Sequence, residues 1–129
     1  TIKPSDSLQE AEMIMDENRI RHLPVLDGSQ LVGIVTQRDV LAALPSSVGE
    51  FELEDEKRFT SRVKIEEIMH SAIETITPDL DASVAAEMLE VQKIGCLLVQ
   101  SGKKLVGIIT ENDFVRLARK LLIAQKHTN

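Results

Sequence analysis

Two near-continuous apolar runs, Leu31–Val35 and Leu105–Ile109, stand out in a chain that otherwise mixes apolar and polar positions. Apolar runs this short and dense fit strands buried on both faces. Each ends in a hydroxyl residue and, three positions on, an Asp: Thr36-Gln37-Arg38-Asp39 and Thr110-Glu111-Asn112-Asp113. The spacing places the hydroxyl at a strand end and the carboxylate in the first turn of a helix. Helices are predicted over 37–44, stopped by Pro45, and over 111–125.

The second run lies 74 positions after the first, and that offset holds without a gap from 1–44 to 75–118. Thr1, Ile2, Pro4, Ala11, Ile20, Leu23, Val25 and Gly28 recur at Thr75, Ile76, Pro78, Ala85, Ile94, Leu97, Val99 and Gly102. The chain is therefore an internal duplication. Each copy opens on a short β-type pair closed by proline. Leu8, Ala11, Ile14 and Met15 then mark the apolar stripe of a helix over 7–17, with Ser7 and Glu10 in the positions of a capping box. In the second copy Asp81 is the cap, and Ala82, Ala85, Met88 and Leu89 form the stripe. Leu23–Leu26 and Cys96–Val99 read as strands, and Asp27-Gly28 and Ser101-Gly102 as turns. The unit is β-α-β-β-α, used twice.

Residues 45–63 do not repeat and read as a solvated linker with a helical turn. A partner-docking segment is the sharper alternative there. Lys64–Met69 reads as a short helix entering the second repeat. By symmetry, a similar segment is expected to precede Thr1. The organisation expected is repeat 1 over 1–44, linker over 45–63, repeat 2 over 64–122 and a tail over 123–129.

These motifs together resemble a tandem pair of cystathionine β-synthase (CBS) domains, a Bateman module. The resemblance is carried by Ile65-Glu66-Glu67-Ile68-Met69 before Thr75-Ile76-Thr77-Pro78, by Asn18-Arg19-Ile20-Arg21-His22-Leu23-Pro24-Val25, and by Gly33–Asp39 with Gly107–Asp113. It covers all but the connector and the tail. Within the family the chain is similar to bacterial stand-alone pairs of the acetoin-utilization type, in connector length and in Ile109-Thr110-Glu111-Asn112-Asp113-Phe114. The resemblance implies an α/β fold of two repeats packed about a pseudo-twofold axis, with two clefts that take adenine nucleotides or adenosyl compounds, and further dimerisation. A fold-level likeness carries no pathway with it.

The composition narrows the function. The chain has 129 residues, 43% of them hydrophobic, and a formal net charge of −6. It is a globular chain of about one domain; either half alone, at roughly 55–60 residues, would have a marginal core. The acidic balance argues against a nucleic-acid polymer as partner but not against a small phosphate in a locally basic pocket. One cysteine, Cys96, excludes an intrachain disulfide and fits a reducing compartment. No apolar run approaches the ~18 residues of a membrane span, so cytoplasm is the default and no membrane partner is expected.

A nucleotide site needs a slot for the base, a carboxylate for the ribose diol and donors for phosphate. Asp39 and Asp113 suit the diol, because an ionised carboxylate accepts from two adjacent hydroxyls. Thr36 and Thr110 stand beside them. The bland alternative is that each Thr and Asp only caps its helix. The base slot is expected from Ile2, Leu23, Pro24 and Ile34, and in the second copy from Ile76, Leu97 and Ile108, with ordinary core packing as the alternative or additional role of these aliphatic side chains. Backbone amides of Lys3 and Arg21, or of Thr77 and Gly95, are placed to read an adenine edge. Phosphate donors divide the copies. Lys3, Arg21, His22 and Arg38 have Thr77, Gly95, Cys96 and Asn112 as counterparts, all uncharged. Charged donors hold phosphate best, so the first site is expected to bind phosphorylated adenosine more tightly. Leu98 replaces the proline of the first copy.

No catalytic constellation is legible. Cys96 lacks the His and third group of a nucleophile, no cluster has zinc spacing, and His70 and His127 look isolated. The expectation is a regulatory sensor, not an enzyme and without a metal. AMP is the leading ligand, with ADP, ATP and S-adenosylmethionine behind it, acting on an unidentified regulated protein. The alternative is a structural homodimerisation module with vestigial clefts, joined through the helices that carry Val40, Leu41, Leu44, Phe114, Val115 and Leu117.

Overall fold

The computed structural model describes residues 1–44 and 53–128. Pro45 and the loop-like first half of the connector fall outside them. The described elements are α1 (Leu8–Asn18), β1 (His22–Asp27), β2 (Gln30–Thr36), α2 (Gln37–Ala43), α3 (Leu53–Arg62), α4 (Ile65–Ile68), β3 (Thr75–Ile76), α5 (Ala82–Gln92), β4 (Cys96–Ser101), β5 (Lys104–Thr110) and α6 (Glu111–Thr128). They form two compact units, Thr1–Ile73 and Glu74–Asn129.

The duplication read from the sequence reappears in the hydrogen-bond register. In the first unit Ile2 bridges Val25 in parallel and β1 pairs antiparallel with β2. In the second, Ile76 pairs Val99 in parallel and β4 pairs antiparallel with β5. His22 opposes Thr36 as Cys96 opposes Thr110, and the register shifts between Val25 and Leu26 as between Val99 and Gln100. Gly28 and Gly102 both have φ 63°, the left-handed turn geometry that glycine adopts without strain. Arg19 and Lys93 end α1 and α5 in the same region, φ 53° and 52°. Side chains there are uncommon, so the sequence carried no clear stop signal at either helix.

In the first unit Leu8, Ala11 and Met15 of α1 pack with Ile2, Leu23, Val25, Val35, Val40 and Ile65. Leu8, Leu23, Val25, Val35 and Ile65 are nearly or fully removed from water. Burial of an aliphatic side chain of this size is worth about 1.5–3 kcal/mol. Ser7 caps α1 by accepting the Glu10 amide at 3.2 Å. In the second unit Ile76, Ala85, Leu89, Leu97 and Val99 form the core, and Asp81 caps α5 by accepting the Ser83 amide at 2.9 Å.

The connector departs from expectation. Residues 53–62 make a full helix, not one turn in a solvated linker. Thr60 is buried, its hydroxyl donating to the Lys57 carbonyl, and Val63 packs against the first core. Glu12 of α1 senses Glu56 of α3; burial first, then that like charge, pushes its carboxyl pKa up.

The segment after α3 also belongs, by contact, to the first unit. Leu8 N–H donates to Val63, Ile65 N–H to Asp6 and Glu66 N–H to Pro4. Beyond α4, Ile34 and His70 exchange both backbone bonds at 2.9 Å, which adds a further row to the edge of β2. Gly33 is what lets that row approach. A Cβ on Gly33 would stand 2.8 Å from the His70 carbonyl oxygen and 2.9 Å from Met69 Sδ. At Gly107, the repeat-related position, the nearest atoms are Val99 methyl and methine carbons at 3.9–4.0 Å.

Candidate functional site

Each Thr-x-x-Asp folds as its spacing suggests. Thr36 is the N-cap of α2: its hydroxyl accepts the Asp39 amide at 3.2 Å, and Asp39 Oδ2 accepts the Thr36 N–H at 2.8 Å. The Thr36 hydroxyl donates back to the same oxygen at 2.9 Å. Asp113 Oδ2 likewise accepts the Thr110 N–H at 2.8 Å and its hydroxyl at 3.3 Å. The cap at Thr36 is therefore complete, whereas Thr110 shows only the return bonds to its aspartate; in both copies these bonds engage one carboxylate oxygen, Oδ2, and not Oδ1.

The two Oδ1 atoms have different partners. In the first unit His70 Nε2 lies 2.5 Å from Asp39 Oδ1. In the second, Arg116 Nη2 donates to Asp113 Oδ1 at 3.4 Å, one helical turn away. Both correct the sequence reading. His70 is not isolated, and the second copy is not devoid of a cation beside its aspartate. Ala42 stands where the duplication would place Arg116, so that asymmetry was legible from the repeat alignment. The His70 contact was not: it spans 31 residues and depends on the row that follows α4.

The pleat divides the expected base slot. Pro24 opposes Ile34 across β1 and β2, and both are buried. Leu23 opposes Val35, and those two, with Ile2, belong to the helix-packed core on the other face. In the second unit Leu98 opposes Ile108, while Ile76 and Leu97 belong to the core. Leu98 is buried and Ile108 half-buried. Pro24 and Ile34, and Leu98 and Ile108, are thus the pairs left to line a slot. Leu23, Ile2, Ile76 and Leu97 are accounted for by core packing.

Around Asp39 the strand ends bring His22 opposite Thr36, and the Gln37 amide donates to the Arg21 carbonyl at 2.8 Å. Lys3, Arg21 and Arg38 are exposed. The Lys3 N–H, expected to read a base edge, donates to Asp6 Oδ2 at 2.9 Å instead. His22 is half-buried; desolvation and then the neighbouring Arg21 charge lower its pKa, against a weaker opposite pull from Asp39. It is therefore a neutral hydrogen-bonding group near neutral pH rather than a fourth cation.

In the second unit Thr77 and Gly95 are exposed, as is Asn112. The neighbouring Thr77 side chain helps hold the Asp79 carboxyl below the usual carboxylate range. Cys96 is half-buried and burial raises its thiol to about 11, which leaves little thiolate for nucleophilic or metal chemistry. Among the described residues no group of three or more His, Cys, Asp or Glu side chains is arranged to hold a metal ion, and no helix is long and apolar enough to cross a membrane. A separate groove of about 480 Å³ between α3 and the start of α4 is lined by Asp55, Arg58, Phe59, Arg62, Val63 and Glu67, and contains none of the residues above.

Comparison with known proteins extends these observations. The model of the CBS domain matches residues 1–46 and 65–120. The chain is 33% identical to an acetoin utilization protein (AcuB) of Vibrio cholerae, so assigned provisionally. That crystal structure aligns with a TM-score of 0.80 over 100% of this chain and 89% of that one. It is 26% identical to CBSX2, solved in complex with AMP, with a TM-score of 0.75 over 94% and 87% of the two chains. It is 29% identical to the CBS domain pair of protein MJ0100, solved with 5′-methylthioadenosine and S-adenosyl-L-methionine, with a TM-score of 0.71 over 92% and 88%. Among curated proteins, an uncharacterised 33.4 kDa protein of Thermofilum pendens is 33% identical over 92% of this chain but 40% of its own length. An inosine-5′-monophosphate dehydrogenase of Korarchaeum cryptofilum is 32% identical over 88% of this chain and 21% of its own.

Proposed function

The chain belongs to the CBS-domain family, and from that premise we propose that it is a non-catalytic regulatory module that binds an adenosyl ligand. The observation that carries this reading is the carboxylate in the first turn after each long strand, anchored through Oδ2 by its own Thr, with Oδ1 held only by an exposed side chain, His70 or Arg116, that a ribose diol would replace. The complexes of CBSX2 with AMP and of MJ0100 with adenosyl compounds support it. AMP is the leading ligand. Asp39 binds the ribose, Pro24 and Ile34 flank the base, and Arg21 and Arg38 take the phosphate. Asp113, with Leu98 and Ile108, forms the weaker site. In this reading the chain works in the cytoplasm and passes its occupancy to a regulated protein through a ligand-dependent difference in conformation, as any allosteric output requires.

Calorimetry on the full chain with AMP, ADP, ATP and S-adenosylmethionine tests this directly. Because the chain has neither Trp nor Tyr, nucleotide carried through purification would dominate its absorbance near 260 nm. AMP is expected to bind, and Asp39→Ala to weaken it more than Asp113→Ala. A chain that binds none of the four ligands would refute the sensing role, and the reverse order of the two variants would refute the assignment of the stronger site.

A second reading has its own observation. Val115, Leu117, Leu121, Leu122 and Ile123, spread around α6, are all exposed, and apolar side chains left open in this number suit cover by a second copy of the chain. Sedimentation of the full chain with and without AMP separates the two: a stable dimer indifferent to nucleotide favours a purely structural role.

A further inference from the structure

Resting on the reading of Asp39 as the ribose anchor, we propose that His70 is a positioning residue of that site, its imidazole holding Asp39 Oδ1 until a ribose diol takes its place. Oδ2 is fully engaged by the Thr36 N–H and hydroxyl, so Oδ1 is the oxygen a ligand must use. His70 Nε2 already sits on it at 2.5 Å. The ring is delivered by backbone: Ile34 and His70 exchange two hydrogen bonds at 2.9 Å, and Ile65, fully buried, pins α4 just upstream.

The partners are unequal. The Asp39 side chain is 14% exposed and the His70 side chain 61%. The carboxylate is fixed and the ring is free to swing into water with little loss of burial. Binding is then an exchange of one donor to Oδ1 for another. A protonated imidazole competes for a carboxylate more strongly than a neutral one, so the exchange is harder at acid pH. The other titratable and charged side chains on the surrounding elements are Arg21 and His22 at the start of β1, Arg38 on α2, and Lys64, Glu66 and Glu67 at α4. All remain when His70 alone is changed. In the second unit Arg116 occupies the equivalent oxygen, and its charge does not vary over this range.

The test is calorimetric titration of the full-length chain with AMP at about pH 8 and about pH 5.5. The proteins compared are the unmodified chain, His70→Ala, His70→Gln and Asp39→Asn, with folding followed by circular dichroism. The phosphate of AMP titrates in the same range but does so for every protein. At acid pH His70→Ala is expected to bind about two- to fivefold more tightly than the unmodified chain, the scale of an exposed ion pair. At alkaline pH the difference narrows. His70→Gln, a neutral donor, follows His70→Ala in its pH profile. Identical affinities and profiles for the unmodified chain and His70→Ala, or weaker binding by His70→Ala at acid pH, would overturn the proposal. If Asp39→Asn abolishes binding while the His70 variants change nothing, only the role of His70 falls. If Asp39→Asn binds as well as the unmodified chain, or no protein binds AMP, the ribose assignment falls and takes the exchange with it.

Discussion

Replacing Gly33 by Ala tests the packing of the row after α4, and Gly107→Ala is its internal control. Both glycines lie in strands at ordinary φ. On backbone entropy alone, each substitution should therefore stabilise by roughly 0.4–1 kcal/mol. The difference lies in what the new methyl meets. At Gly107 it finds open space and Val99 at van der Waals distance. At Gly33 it lands 2.8 Å from the His70 carbonyl, several tenths of an ångström inside normal contact. That carbonyl is backbone, and it accepts the Ile34 amide at 2.9 Å. It cannot retreat without lengthening the bond that pairs the row with β2. Met69 Sδ at 2.9 Å ends a flexible side chain and yields more cheaply. An overpacked site costs about 1–3 kcal/mol, and a weakened backbone bond about 0.5–1.5 kcal/mol. Set against the entropic gain, Gly33→Ala should lose about 1–3 kcal/mol, and Gly107→Ala should be neutral or gain a few tenths. At this chain length that is a Tm drop of roughly 3–10 °C for the first. With no Trp or Tyr for fluorescence, far-ultraviolet circular dichroism in urea is the suitable assay. If the two units melt separately, the transition of Thr1–Ile73 should move alone. Gly33→Ala equal to or more stable than Gly107→Ala would refute the close approach.

Two further outcomes follow from the titrating groups. His22 has a folded pKa below its unfolded value, so unfolded chain takes up more protons between the two values. Its penalty is absent above about pH 6.5, grows as pH falls through the folded pKa and is constant below. His22→Gln should therefore gain stability relative to the unmodified chain from pH 8 towards pH 5, at most about 1 kcal/mol for a half-buried ring; a difference independent of pH refutes this. Cys96, raised to about 11, should react with iodoacetamide at least tenfold more slowly at about pH 8 than a free thiol with its ordinary pKa of about 8.5; mass spectrometry showing equal rates would refute the burial argument.

How much of this was legible in the sequence depends on the range of each interaction. The strands, the paired turns at Gly28 and Gly102 and the caps at Thr36 and Asp81 came through because a period, a φ requirement or a cap acts over a few residues. The duplication then doubled every signal, and its register is reproduced pair by pair. What failed was nonlocal or one-sided. β1 is apolar at four consecutive positions, Leu23 to Leu26, so its pattern does not show which face meets α1, and Leu23 and Pro24 share the expected slot although the two point opposite ways. His70 carried no local mark at all. The connector lacked a repeat to confirm it, and ten residues of helix were read as a turn. The reach of Arg116 to Asp113 is a helical i,i+3 pair that lies one turn beyond the repeated Thr-x-x-Asp, where the first copy has Ala42.

The contacts of residues 64–73 set the unit of duplication out of step with the unit of folding. By sequence they begin the second copy; by contact they complete the first. A fragment ending at Val63 would carry every residue of the first repeat yet leave the edge of β2 bare beside Gly33, and bare edges invite pairing with other chains. A fragment ending at Ile73 keeps that edge covered. Anyone dividing this gene to study one cleft at a time should cut where the hydrogen bonds end, not where the repeat begins.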